Sequence, residues 1–221
     1  MAIAVKICGI TTPDAAAAAV AAGAAYGGVV FHPKSPRNLD IEQAATLARL
    51  MRGKLKLVTL LADPSDEQLA AVTAQLAPDF LQLHGAESAR RVAYVRAKFN
   101  TPIIKALPVA EAADLAAAAE YENVADLLMF DAKAPKGAER PGGHGAAFDW
   151  QILAGRRFAK PWFLAGGLDP DNVARAIELS GAQMVDVSSG VESAHGVKDP
   201  ARIQSFVNAT RHPAPLSKQS A

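Results

Sequence analysis

Eight short runs of aliphatic and β-branched residues punctuate the chain, and the segments between them carry their apolar residues at helical spacing. The runs are VKICGI (5–10), YGGVVF (26–31), KLVTLL (56–61), FLQLHG (80–85), PIIKAL (102–107), DLLMFD (126–131), WFLAGG (162–167) and MVDVSS (184–189). Most are continuously apolar and do not alternate, which is the pattern of parallel strands covered on both faces. The segments DIEQAATLARLM (40–51), SDEQLAAVTAQL (65–76) and DPDNVARAIELS (169–180) predict helices, and each opens on a residue suited to capping. In the last, Asp169 takes the N-cap and Pro170 the first helical position, where a missing N–H is harmless. The alanine-rich stretch 15–25, behind Pro13 and Asp14, predicts a further packed helix. It is shorter than the ~20 apolar residues needed to cross a bilayer.

Strand alternating with helix, with strand starts 21 to 36 residues apart, predicts an α/β fold. A doubly wound sheet uses the same units. The count of eight favours a (β/α)8 TIM barrel, and no G-x-G-x-x-G follows the first strand to suggest a dinucleotide site. A chain of 221 residues is slightly below the ~250 typical of such barrels, so a single domain over 1–210 is expected. Residues 211–221, RHPAPLSKQSA, lack periodicity and predict a frayed tail.

Charge narrows the range of partners. Twenty-three basic residues against twenty-two acidic ones, with no run of one sign, point away from nucleic acid and from membrane surfaces. One cysteine excludes an intramolecular disulfide and any multi-cysteine metal site, in keeping with a reducing compartment. The opening MAIAVK has no signal-peptide architecture, and a soluble cytoplasmic protein is expected. His32, His144, His195 and His212 show no metal-ligand spacing, so no metal site is expected.

In a barrel of this kind the chemistry gathers where the C-terminal strand ends meet. Cys8 ends the first strand, Asp131 ends the sixth, and Arg37 closes the loop HPKSPR after the second. Gly166 and Gly167 follow strand seven, and Ser188, Ser189 and Gly190 follow strand eight, a combination resembling a phosphate cup of backbone N–H groups and hydroxyls. The long Gly- and Pro-rich connection 132–147 beside Asp131 reads either as a flap or as plain surface loop. Each candidate also has a plainer reading. A lone cysteine in an apolar strand is a small buried hydrophobe, an aspartate after a strand caps a turn, and a loop arginine is a solvated charge. His84 reads as a packed histidine peripheral to the chemistry, and Lys105 and Asp186 as paired polar groups inside the barrel.

The motifs KICGIT, FHPKSPR, LQLHG, FDAKAP, GGHGAAFDW, AGGLDPDN, VDVSSGVE and GVKD, in this order, resemble those of the phosphoribosylanthranilate isomerase family from about residue 5 to residue 207. The resemblance implies a TIM barrel and an Amadori rearrangement of N-(5-phosphoribosyl)anthranilate in tryptophan biosynthesis. It implies Cys8 as general base, Asp131 as general acid and Arg37 as the residue holding the anthranilate carboxylate. It also implies a small phosphosugar substrate, no cofactor or metal, and a monomer or homodimer. The thiol must then reach its thiolate, which Lys6, Arg37 or a helix end would favour. The related histidine-pathway sugar isomerase is a weaker match, because it uses aspartates at the ends of strands one and five, where this chain has Cys8 and Lys105. A barrel that binds a phosphosugar without turning it over is the non-enzymatic alternative.

Overall fold

A computed structural model describes residues 2–133 and 147–211. Eight parallel strands close into a barrel in sequence order: β1 (Ala4–Cys8), β2 (Tyr26–Phe31), β3 (Lys56–Leu61), β4 (Phe80–Leu83), β5 (Ile103–Val109), β6 (Leu127–Ala132), β7 (Trp162–Leu164) and β8 (Met184–Val187). β8 pairs with β1, for instance Lys6 with Asp186 and Ile7 with Val187, and this pairing completes the closure. The TIM barrel expected from the apolar runs is therefore the observed fold.

Outside the barrel lie α1 (Pro13–Ala22), α2 (Ile41–Met51), α3 (Asp66–Leu76), α4 (Ala89–Phe99), α5 (Ala118–Tyr121), α6 (Val173–Ser180) and α7 (Pro200–Arg211). Their starts follow the sequence chemistry. Thr12 Oγ1 accepts from Ala15 N ahead of Pro13, Asp40 and Gln43 form a reciprocal capping box, and Ser65 accepts from Gln68 N. α1 buries Ala15, Ala16, Ala19 and Ala22, small side chains that let the helix lie close to its neighbours. After β6, the described residues show only a 3-10 turn, Trp150–Leu153, in place of a regular helix.

Several boundaries differ from those read in the sequence. β7 stops at Leu164 and β8 at Val187, so the glycines and serines that follow belong to loops. α6 begins at Val173 and not after Asp169, because the Asp169 carboxylate ties the N–H groups of Asp171 and Asn172 into a leading turn. Arg211 is the last residue of α7 and not the first of a tail: its Nη2 donates to Ala22 O at the end of α1, 2.8 Å away. The remainder of the expected tail, 212–221, and residues 134–146 of the expected flap lie outside the described residues.

Side chains of a strand alternate in direction, which sorts the barrel into two cores. Val58, Ile104, Ala106, Leu127, Met129, Phe163 and Ala165 pack together inside, against Tyr26, Phe80 and Met184. Tyr26 stacks edge-on against Phe80 and Phe163, 5.9 and 5.2 Å between ring centres, and these rings floor the barrel. The residues of opposite parity, such as Ile7, Val29, Leu81, Phe130 and Val185, join the larger core under the helices. Because the inner positions run on toward the strand tips, Lys6, Cys8, Gln82, His84, Asp131, Asp186 and Ser188 share the inward parity above the aromatic floor.

Candidate active site

Cys8 is buried at the tip of β1, and Asp131 is buried at the tip of β6. β7 and β8 lie between them in the barrel order. At roughly 4.8 Å per strand step, the two tips face one another across a mouth on the order of 10 Å wide, room for a sugar ring.

Beneath Cys8 the barrel interior holds a buried ion pair, Lys6 Nζ to Asp186 Oδ1 at 2.7 Å. The lysine stem fits because β2 offers Gly28: a Cβ there would stand 3.3 Å from both Lys6 Cε and Nζ. Burial works against a charged Lys6, but the Asp186 carboxylate and the Cys8 sulfur outweigh it and hold its proton more tightly than usual. Burial also dominates at Cys8 and pushes the thiol up, although Lys6 and Lys198 pull it down. Burial thus works against the expected enrichment in thiolate. Two lysines offset the desolvation of the sulfur only in part.

Arg37 is not a solvated loop charge. It is buried, and it donates from Nε and Nη2 to the two carboxylate oxygens of Glu192 at 2.6 and 2.8 Å. Its Nη1 has no acceptor among the described residues. Gly9, at φ 72°, lets the arginine lie across the chain just past Cys8, since a Cβ there would run into Arg37 Cδ.

Glu192 begins a short hairpin, β9 (Glu192–Ala194) with β10 (Val197–Lys198), that the sequence reading assigned no role. Lys198 Nζ binds Glu192 Oε1 at 2.6 Å and the carbonyl of Ser188 at 3.1 Å, and Ser188 Oγ donates to Cys8 O at 3.2 Å. Arg37, Glu192, Lys198, Ser188 and the backbone of Cys8 therefore form one continuous polar chain. Glu192 and Lys198 were visible only as letters of the motifs SSGVE and GVKD. Nothing in their spacing says that a hairpin folds them back over strand one.

The candidate cup forms at the ends of β7 and β8. The N–H groups of Gly166 and Gly167, at φ 87° and 66°, find no acceptor among the described residues. Gly190 sits so close to Leu168 O that a Cβ would collide with it, which brings the two loops together. Ser188 departs from expectation. Its hydroxyl hydrogen is directed to Cys8 O, so it is not a free donor for phosphate, whereas Ser189 and Gly190 lie farther out along the loop.

His84 was read as peripheral and is not. Its Nε2 lies 3.1 Å from Asp131 Oδ2 and its Nδ1 lies 2.9 Å from Gln82 Nε2. Lys105 also differs from the reading as a barrel-interior group. Opposite in parity to Ile104 and Ala106, it pairs with Glu87 at 2.8 Å and lies over the Tyr121 ring, between barrel and helices. Asp186 is the interior group expected.

Charge burial gives the Glu192 cluster a testable pH dependence. Desolvation raises Glu192, but Arg37 and Lys198 more than reverse it and hold the carboxyl near about 2, against the usual 4.5. A depressed carboxylate stabilises the fold above its unfolded pKa, and the contribution is lost as pH falls through the folded value. The shift corresponds to roughly 3 kcal/mol at most, because burial lowers Lys198 and so offsets part of the gain. Glu192→Gln is expected to lower stability at pH 7 by about that amount in urea titrations. The gap to wild type should close as pH is taken from 4.5 toward about 2. A constant gap over that window would refute the assignment.

Comparison with known proteins finds related chains. Residues 5–209 match the family model described as N-(5'phosphoribosyl)anthranilate (PRA) isomerase. The chain is 54% identical over 216 residues to the N-(5'-phosphoribosyl)anthranilate isomerase of Paracoccus denitrificans, covering 98% of this chain and 100% of that one. It is 51% identical to the enzyme of that name from Paramagnetospirillum magneticum, covering 96% and 98%. Among solved structures, the phosphoribosyl anthranilate isomerase of Thermotoga maritima superposes with a TM-score of 0.85 at 32% identity, covering 95% and 98%. A phosphoribosyl anthranilate isomerase in complex with reduced 1-(o-carboxyphenylamino)-1-deoxyribulose 5-phosphate superposes at 0.82 with 30% identity over the same shares.

Proposed function

The chain belongs to the phosphoribosylanthranilate isomerase family, and from that premise we propose that Cys8 is the general base and Asp131 the general acid of its reaction. The protein is an isomerase of tryptophan biosynthesis that converts N-(5'-phosphoribosyl)anthranilate to 1-(2-carboxyphenylamino)-1-deoxyribulose 5-phosphate. The observation that carries the assignment of roles is the pairing of one thiol and one carboxyl on facing strand tips of a single barrel mouth.

The rearrangement needs two proton movements. Asp131 protonates the furanose ring oxygen, the C1–O bond opens, and a Schiff base forms with the anthranilate nitrogen. Cys8 then removes the proton from C2 to give an enolamine, which tautomerises to the ketone. One carbon is oxidised and its neighbour reduced within the same molecule, so the balance requires no external oxidant or reductant. Arg37, fixed by Glu192, presents Nη1 to the anthranilate carboxylate. The N–H groups of Gly166 and Gly167, with Ser189 and Gly190, receive the phosphate, and Ser188 contributes by its position beside Cys8.

The substrate is a small diffusible phosphosugar, and no described helix is long and apolar enough to cross a membrane. We assign the protein to the cytoplasm, as one barrel domain acting as a monomer or homodimer; the T. maritima relative is described as dimeric. Loss of anthranilate-type fluorescence on addition of freshly generated substrate should follow purified protein and persist after exhaustive dialysis against EDTA. Turnover restored only by an added metal would overturn the cofactor-free reading.

A further inference from the structure

The donor that faces His84 from behind fixes where that imidazole carries its proton. Gln82 Nε2 stands 2.9 Å from His84 Nδ1 and 3.3 Å from Met129 Sδ. A side-chain amide nitrogen only donates, and a thioether sulfur only accepts. In this orientation both contacts use an N–H, and Oε1 alone is left without a partner. Turned around, the amide would set its oxygen against the sulfur, two acceptors face to face, and would forfeit the N–H contact to Met129 Sδ. His84 Nδ1 is therefore the acceptor, and the ring proton of the neutral imidazole sits on Nε2, aimed at Asp131 Oδ2 at 3.1 Å.

The backbone carrying His84 is held to match. His84 N donates to Leu61 O at 2.8 Å, and Lys105 Nζ binds the carbonyls on either side, Leu83 O and Gly85 O, at 3.3 and 2.8 Å. The Cα from which the ring projects is thereby fixed at the tip of β4.

We propose that Gln82 is a positioning residue for the acid: it selects the Nε2–H tautomer of His84, which holds Asp131 through Oδ2 and leaves Oδ1 as the oxygen that carries the transferable proton. This rests on the reading of Asp131 as the acid. An oxygen that accepts a hydrogen bond from His84 is poorly placed to bear a proton itself, so the carboxylic acid hydrogen falls on Oδ1.

The test begins on wild-type protein labelled with 15N-histidine, by long-range 1H–15N correlation at mildly alkaline pH, with His84 assigned by its loss in His84→Asn. The expected result is a protonated Nε2 and a bare Nδ1; a protonated Nδ1, alone or together with Nε2, overturns the proposal. Gln82→Glu keeps the shape but offers an acceptor, and should move the proton to Nδ1. It should also lower kcat by about 10- to 100-fold with KM within about twofold, since the acid itself is intact. A Gln82→Glu enzyme with wild-type kcat also overturns it. Failure of the underlying reading looks different: Asp131→Asn would keep its turnover while the tautomer signals stayed as described.

Discussion

Cys8→Ala is expected to lower kcat by at least about 10²-fold while binding of a product analogue is retained, the pattern of a missing proton acceptor in an intact site. The change removes one sulfur from a strand tip whose backbone is held by pairing with β2 and by Ser188 Oγ, so the mouth should keep its form. The group beside it that could substitute is Lys6, but in the variant its ammonium is still engaged by the buried Asp186 carboxylate at 2.7 Å, so it offers no free base. A Cys8→Ala enzyme within tenfold of wild type would remove the thiol from the mechanism and leave the family membership untouched. The state of the sulfur can be followed apart from turnover. Because burial pushes the thiol above its usual value near 9.0, alkylation of Cys8 by iodoacetamide should be slow at pH 7. Its rate should still be climbing as pH passes 9.0, and a rate already level at neutral pH would mean that the two lysines outweigh desolvation.

The contrast between what was legible in the sequence and what was not has a physical basis. Strand runs, helix caps and the barrel were readable because they depend on local periodicity and on side chains that bond within three or four residues, as Asp40 does with Gln43. The places of Cys8 and Asp131 at strand ends were readable because each closes an apolar run. The partners of these residues were not readable. Arg37 meets Glu192, 155 positions away, and Lys6 meets Asp186, 180 positions away, through barrel closure and a hairpin that no local pattern announces. Ser188 was expected to add a donor to the phosphate cup from its place at the end of strand eight, and only three dimensions show its hydroxyl bonded to Cys8 O. Lys105 was expected inside the barrel with a paired partner, and the partner is there but the side is not. Strand parity, counted from Ile104 and Ala106, turns it outward to Glu87 and Tyr121.

Asp131→Asn separates proton donation from every other function of that side chain. Asparagine has the same shape, and its oxygen can accept the His84 Nε2–H that Asp131 Oδ2 now accepts at 3.1 Å, so the tip of β6 should keep its geometry. Its amide can still form a hydrogen bond to the ring oxygen of the sugar but cannot deliver a proton to it. Ring opening is the step that fails, and kcat should drop by about 10²- to 10⁴-fold with KM little changed. The unopened substrate should keep its anthranilate-type fluorescence when mixed with excess enzyme. Asp131→Ala serves as the structural control, because it leaves the His84 N–H buried without its acceptor and should lower stability by about 1–3 kcal/mol, a loss that asparagine avoids. If Asp131→Asn opens the ring within tenfold of the wild-type rate, the proton must come from elsewhere. His84, the only titratable side chain shown in contact with Asp131 among the described residues, would then be the group to replace next.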